Sequence, residues 1–284
     1  MPNIINILIA AAAAAAASAP TLVDNVSSPL SDYNLSLDDT ERMMVFARSD
    51  ADFRNARIFV SVKSGGRWTE PEPIGFTDPR YSDSDPWLTP DGNMLYFIST
   101  RPAAGRGKER TDYDIWRSER TSGGWSEPQH LGRTVNSAGQ ELGPEVHGKT
   151  LYFSSARKSG AGGLDIYAAP KALGGFGAAK LLDGPFNGPE SDSDFTLSRD
   201  GRSAMFWRSE KGGKGAIHIA RKEGAGWSKP LPLSLAVNHG PFNFTPSFSR
   251  DGSKLRYAST RAREGQEQGL ADIYEARIED AVKG

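Results

Sequence analysis

Five apolar runs of this chain share one aromatic position. The runs "MMVFAR", "MLYFIS", "TLYFSS", "AMFWRS" and "LRYAST" place Phe46, Phe97, Phe153, Phe206 and Tyr257 at spacings of 51, 56, 53 and 51 residues. A second column, Ile58, Ile115, Ile166, Ile217 and Ile273, runs in phase with the first, as does a third, Trp68, Trp125, Phe176 and Trp227. Three columns in phase over most of the chain mean that one supersecondary unit is repeated. Each unit holds four short β-like runs; in the second they are "PWLTP", "MLYFIST", "DIWRSER" and "EPQHLG". Asp91-Gly92 joins the first two, and Asp200-Gly201 and Asp251-Gly252 repeat that turn, because glycine takes a positive φ at no steric cost. Four short strands per unit of about 50 residues is the pattern of a propeller blade. A β-solenoid uses shorter repeats, and a sandwich need not repeat at all.

Closure sets the blade count. The fifth unit ends at "DIYEARIED", after three strands, so its outermost strand is missing. The segment "PTLVDNVSS" supplies it: Leu22 and Val26 stand four apart, like Leu131 and Val135, and Leu233 and Val237. The fold class expected is therefore all-β, a five-bladed β-propeller closed by the N-terminal strand, with six blades as the alternative. Its blades span about 29–75, 82–132, 140–184, 190–235 and 241–279, with the closing strand at 20–26, inside a single domain of residues 20–280 and before a tail at 281–284. Closure leaves no open sheet edge to pair with other chains.

Residues 1–19, "MPNIINILIAAAAAAAASA", are an apolar run ending in Ala17-Ser18-Ala19, which reads as a signal peptide with an A-x-A cleavage site. The expected location is periplasmic or secreted. No other segment is long and apolar enough to span a bilayer. The chain has no Cys, hence no disulfide or thiol chemistry. With 34 Lys+Arg against 35 Asp+Glu, its charge gives no footprint for nucleic acid.

The blade sequence resembles the TolB-type, WD-repeat-like propeller family of exported bacterial proteins, whose pattern is "PxLSPDGxxLYFxSxRxxGxGxxDIYxxxxxxGxWSEPxxLGxxVNS". Pro86, Asp91, Gly92, Leu95, Phe97, Arg101, Asp114, Ile115, Trp116, Trp125, Pro128 and Gly132 match it in one blade, and the resemblance extends over residues 20–280. The first blade departs with "LDDTER" at the Asp-Gly turn, and the third with "HGKT". The resemblance implies the fold; the family includes binding scaffolds with many partners, so it names no ligand.

The tetrapeptide "SDSD" occurs at 82–85 and again at 191–194, each time leading into an innermost strand. Aligned on Tyr33, Pro86, Pro144, Phe195 and Pro246, two columns precede these strands: Leu30, Asp83, Glu141, Asp192 and Asn243, then Asp32, Asp85, Gly143, Asp194 and Thr245. They share parity, so an extended chain turns both toward one side. Asp83, Asp85, Glu141, Asp192 and Asp194 are thus candidate ligand-binding residues at one channel mouth. His239, in the loop "VNHGPFN", is a further candidate. The alternative for the carboxylates is capping of backbone N–H groups. No resident cofactor is expected. Oxygen ligands suit Ca²⁺, with Asp85 and Asp194 the candidate metal ligands.

The four His residues have no metal-ligand spacing, no G-x-S-x-G elbow is present, and "GGFG" and "GAGG" are turn glycines. The basic stretch 101–114 is a long connection suited to solvent or to a partner. The function expected is that of a non-catalytic exported scaffold, a monomer. It would hold an envelope protein, a peptide or a glycan at its channel mouth and loops. The alternative is a five-bladed carbohydrate-active enzyme working through channel-mouth carboxylates. Recurrence of the acids by blade favours binding, since catalysis needs inequivalent carboxylates.

Overall fold

The computed structural model describes residues 18–103, 112–210, 215–266 and 269–282. It is a five-bladed β-propeller, each blade an antiparallel sheet. The innermost strands are Ser31–Leu37, Asp83–Leu88, Glu141–His147, Asp192–Leu197 and Asn243–Phe248, in blades I to V. Second strands follow at Met43–Ser49, Met94–Ser99, Thr150–Ser155, Ser203–Ser209 and Lys254–Ser259, and third strands at Arg57–Ser64, Asp114–Thr121, Asp165–Ala172, Gly215–Glu223 and Asp272–Arg277. Among the described residues every strand belongs to one of these five sheets, so the six-blade alternative falls away.

The turns between first and second strands follow the sequence. Gly92, Gly201 and Gly252 sit at φ of 70°, 66° and 70°. In each turn the preceding Asp accepts a hydroxyl and a backbone N–H: Thr89 Oγ1 (2.6 Å) and Asn93 N (3.1 Å) on Asp91, Ser198 Oγ (2.6 Å) and Arg202 N (3.0 Å) on Asp200, Ser249 Oγ (2.6 Å) and Ser253 N (3.0 Å) on Asp251. The outermost strand differs from the sequence expectation. It is broken into two short pieces, as at Arg67–Trp68 and Glu72–Pro73. Pro71, Pro128 and Pro230 fall between the pieces in blades I, II and IV, and proline has no N–H to carry a ladder through.

An asparagine locks each outer segment in three blades. Asn136 accepts from Ile115 N (2.7 Å) and donates to Ile115 O (3.0 Å); Asn187 brackets Ile166 and Asn238 brackets Ile217 in the same way. These satisfy backbone groups that a broken strand would otherwise leave orphaned. The core lies between blades. Ile58, Leu95, Phe97 and Ile74 form one such cluster, and Phe186, Phe195, Phe206 and Ala220 another. Trp125, Phe176 and Trp227 are half-buried and cap these clusters from the outside. Trp227 packs edge-on to Phe186 at 5.1 Å, and the Lys222 ammonium covers its other face at 4.2 Å.

Thr21–Leu22 is the outermost strand of blade V, with Thr21 opposite Glu275 and Leu22 opposite Tyr274. Val26, 1% exposed, then packs with Leu35, Met44, Phe46 and Ile273 and joins blade V to blade I. Residues 1–17 of the expected leader lie outside the described residues, while Ser18 donates to Asp280 Oδ2 at 2.6 Å. The expected tail is different at its start: Ile278–Ala281 forms one helical turn, and Ala281 is buried, accepting from Ser234 N at 2.7 Å. No helix among the described residues is long and apolar enough to cross a membrane.

Removing residues 18–28 exposes the edge of Asp272–Arg277 and deletes Val26 from its core. The melting temperature of that truncated protein is expected to fall by well over about 5 °C, since a lost strand costs several kcal/mol. Differential scanning calorimetry checks this, and an unchanged melting curve would refute closure as a source of stability.

Candidate functional site

Every innermost strand carries one residue in the left-handed region: Asn34 (φ 54°), Asp85 (49°), Gly143 (54°), Asp194 (55°) and Thr245 (50°). The register slips there in all five blades, between Tyr33 and Ser36, Ser84 and Trp87, Leu142 and Glu145, Ser193 and Thr196, and Phe244 and Ser247. This is a β-bulge, which re-aims a side chain. Two sequence readings change as a result. Blade I lies two residues from its expected register: Asn34, not Asp32, stands with Asp85, and Asp32 stands with Asp83. The parity rule also fails across a left-handed residue, so the two acidic columns separate.

The first column is Asp32, Asp83, Glu141, Asp192 and Asn243, none more than 2% exposed. Its four acids each meet an arginine from the end of the second strand or just beyond it. Arg48 Nε lies 2.6 Å from Asp32, Arg157 Nη2 3.3 Å from Glu141 and Arg208 Nε 2.6 Å from Asp192; Arg101 pairs with Asp83. The same guanidinium groups reach back to the preceding blade or the closing segment. Nη2 donates to the carbonyls of Val26 (3.1 Å), Phe76 (2.9 Å), Val135 (2.6 Å), Pro185 (3.1 Å) and, from Arg261, Val237 (2.9 Å). Burial raises the pKa of Asp83, Glu141 and Asp192 and pushes Asp32 up to about 6, with the arginines pulling the other way. Asp83, Glu141 and Asp192 therefore sit in interblade ties and do not line the channel. Arginine recurs at 48, 101, 157, 208 and 261, and that column is the sequence signal of these ties.

The second column does line the channel. Asn34, Asp85, Gly143, Asp194 and Thr245 form the inner end of a cavity of about 430 Å³. Ser36, Trp87, Glu145, Thr196 and Ser247 stand above them, and Asp39, His147, Arg199 and Arg250 surround the mouth. This mouth lies at the turns between first and second strands, the end opposite the "SDSD" strand starts. His239 is exposed on its loop and is not part of the cavity lining. Of the basic stretch 101–114, residues 104–111 lie outside the described residues.

Each channel acid ties its blade to the next. Asp85 Oδ2 accepts from Gly143 N (2.9 Å), Asp194 Oδ2 from Thr245 N (3.1 Å) and Glu145 Oε1 from Leu197 N (3.0 Å). A Cβ at Gly143 would stand 3.5 Å from Asp194 Oδ1, an ordinary van der Waals contact, so Asp194 of blade IV packs against the bulge of blade III. Burial raises the pKa of Asp85 and pushes Glu145 up to about 7. Burial, then the charge of Asp85, pushes Asp194 up to about 7. At the rim, Asp39 of blade I meets Arg199 of blade IV at 2.7 Å and Arg250 of blade V at 3.8 Å. Blades I and IV are not neighbours, so this pair spans part of the mouth. Among the described residues no three His, Asp or Glu side chains converge as a metal-binding group. Asp85 and Asp194 bring two carboxylates to this depth of the channel.

No family model and no curated protein matches the sequence. Solved structures do match in fold. TolB from Acinetobacter baumannii aligns at 17% identity over 90% of this chain, with a TM-score of 0.53. The chain spans 56% of the length of that protein. An alpha-L-arabinofuranosidase from Lactobacillus brevis aligns at 15% identity, covering 90% of this chain and 92% of that one, with a TM-score of 0.56. An endo-arabinase from Bacteroides thetaiotaomicron VPI-5482 aligns at 17% identity, covering 92% and 97%, with a TM-score of 0.56. At these identities the likeness is one of fold, and it reaches both TolB proteins and glycoside hydrolases.

Asp194 gives a pH test. Its pKa is raised from 3.8 to about 7, so the native chain holds a proton between those values that the unfolded chain has lost. Its contribution to stability therefore declines as pH rises toward about 7. Asp194→Asn removes the titration. The stability of that variant relative to wild type is expected to be greater at pH 8 than at pH 5 by about 1–2 kcal/mol, discounted for the opening to solvent. Urea unfolding at both values checks it; a pH-independent difference would exclude a raised pKa at this site.

Proposed function

We propose that this protein is an exported, non-catalytic propeller that holds a segment of a protein or peptide partner at its channel mouth and surrounding loops. The observation that carries this reading is how the carboxylates are used. The acids at the strand starts are consumed by arginine ties, which removes them from substrate chemistry. Of the acids lining the cavity, Asp38 is held in its own turn by the N–H groups of Arg42 and Met43, and Asp39 and Glu41 pair with Arg199 and Arg256 at the rim. The three on the innermost strands, Asp85, Glu145 and Asp194, all have raised pKa values, with no Lys or Arg among the causes of their shifts. Glycoside hydrolysis needs one carboxyl protonated and a second held ionised as nucleophile or base. Here the environments push all three the same way. Binding makes no such demand.

The test has two arms. A panel of aryl arabinofuranosides and related glycosides is incubated with purified protein, and no turnover above background is expected. In parallel, a displayed peptide library is selected on the same protein. Selected peptides are expected to lose about tenfold or more in affinity when Arg199→Glu alters the rim or Trp87→Ala alters the wall. Turnover abolished by Glu145→Gln would reverse the reading and make the protein a hydrolase.

A further inference from the structure

The rim of the mouth carries opposite charges at one repeated position. In the turns between first and second strands, Asp39, Pro90, Arg199 and Arg250 are equivalent. Each follows a residue whose N–H bonds a carbonyl at the start of the second strand: Asp38 to Met43, Thr89 to Met94, Ser198 to Ser203 and Ser249 to Lys254. Blade I thus presents an acid where blades IV and V present arginine.

The turn of blade I, residues 38–42, reaches across to those arginines. Asp39 Oδ2 lies 2.7 Å from Arg199 Nη1 in blade IV. Arg250 of blade V takes the same residue twice, its Nη1 donating to the Asp39 carbonyl and its Nε standing 3.8 Å from Oδ1. Two residues on, Glu41 Oε1 lies 3.5 Å from Arg256 Nη2, also in blade V. Asp39 N donates to the Pro90 carbonyl at 2.7 Å, so blade II holds the turn from the other side. All five charged side chains line the channel mouth. Three arginines therefore grip an Asp-x-Glu segment of this chain, by a backbone carbonyl as well as by its carboxylates.

Two features distinguish this grip from a fixed structural contact. Glu41 occupies the position of Gly92, Gly201 and Gly252 and shares their positive φ, at 49°. Glycine would stand there without strain, whereas a strained side chain persists only where its surroundings hold it, and such residues cluster at switches. The pairs are also open to water. Arg199 and Arg250 are more than half exposed, and ion pairs of that kind are weak and screened by salt. The turn itself is shaped by Asp38, which accepts from Arg42 N and Met43 N at 2.9 Å each. Shape and grip rest on different residues, so the grip can open while the turn stays folded.

We propose that residues 38–42 are an autoinhibitory latch over the channel mouth, and that Arg199, Arg250 and Arg256 form the docking site of an acidic segment of the partner. The latch occupies that site as a surrogate. The partner segment carries two acids two residues apart; in an extended chain these fall on one face, so both reach the arginines together. Docking exchanges Asp39 and Glu41 for the partner's carboxylates and uncovers the channel behind them. Because the latch is tethered, it competes at high effective concentration and keeps the free protein closed. The proposal rests on the reading of the mouth as a peptide site.

Fluorescence anisotropy on the full protein tests it, with a labelled, amidated copy of residues 36–43, "SLDDTERM", as the probe. A control peptide carries Asn and Gln in place of the acids copied from Asp39 and Glu41. The double substitution Asp39→Asn, Glu41→Gly opens the latch and matches the turns of blades II, IV and V; calorimetry verifies its folding. The probe is expected to bind this variant at least tenfold more tightly than wild type, and the control peptide to bind neither. Added salt is expected to weaken the binding, and Arg199→Glu in the opened variant to abolish it. Equal affinity for wild type and the opened variant, no binding to the opened variant, or displacement of the probe by an equal concentration of inorganic phosphate overturns the proposal. Library-selected peptides that bind the mouth of both proteins alike remove the latch and leave the scaffold reading standing. Glycoside turnover without peptide binding removes both.

Discussion

The arginine ties hold the ring in its geometry. In blades I to IV each guanidinium joins a buried group at the start of an innermost strand to a carbonyl in the segment that closes the previous blade. That buried group is a carboxylate. In blade V it is replaced by Asn243, and Arg261 turns to Ser259 Oγ (3.0 Å) and the Tyr257 hydroxyl while keeping its bond to the Val237 carbonyl. Aromatic rings sit beneath most of these guanidinium groups, as with Tyr167 at 4.4 Å from Arg157 and Tyr274 at 4.5 Å from Arg261. A buried ion pair of this kind is modest as a net source of stability, but breaking it from one side costs about 3–5 kcal/mol. It therefore specifies where one blade meets the next more than it adds to the total.

With the strand start fixed, the bulge decides what enters the channel. A left-handed residue is easy for glycine and costs a non-glycine residue about 1–3 kcal/mol. Four of the five blades accept that cost, with Asn, Asp, Asp and Thr. Asn and Asp tolerate this conformation best among residues with a side chain. The "SDSD" motif is thus two devices in four residues. Its first aspartate is structural and pairs with arginine inside the ring. Its second sits on the bulge and faces the channel. The conformation needed to separate them explains why the second is so often an Asx residue.

Much of the fold was legible in the sequence, because propeller repeats write themselves in columns. Phe46 to Tyr257, the Asp-Gly turns and the four-residue spacing shared by Leu22–Val26 and Leu131–Val135 were enough to give five blades and the strand that closes them. The site was less legible, for identifiable reasons. Tyr33 was aligned with Pro86 because blade I has no proline to mark the bulge; the correct partner of Pro86 is Leu35. Parity assumes extended backbone, and the left-handed residue breaks it. Asp83, Glu141 and Asp192 read as channel acids because their partners lie 16 to 18 residues downstream, in a different strand. Glu145 carried no motif at all; only its position two residues after Gly143 on an innermost strand marks it.

The channel departs from the repeat where it matters for binding. A fivefold ring of aspartates at the bulge would place five like charges around one axis, which no arrangement of backbone donors offsets. The sequence instead gives Asn34, Asp85, Gly143, Asp194 and Thr245, two charges separated by neutral residues. Gly143 is the pivot of that asymmetry. Its N–H holds Asp85, and Asp194 from the next blade packs beside it, so both carboxylates approach the same wall of the channel. The resulting floor is lopsided, negative on one side and neutral on the other. A lopsided floor orients a ligand, whereas a symmetric ring would only attract one.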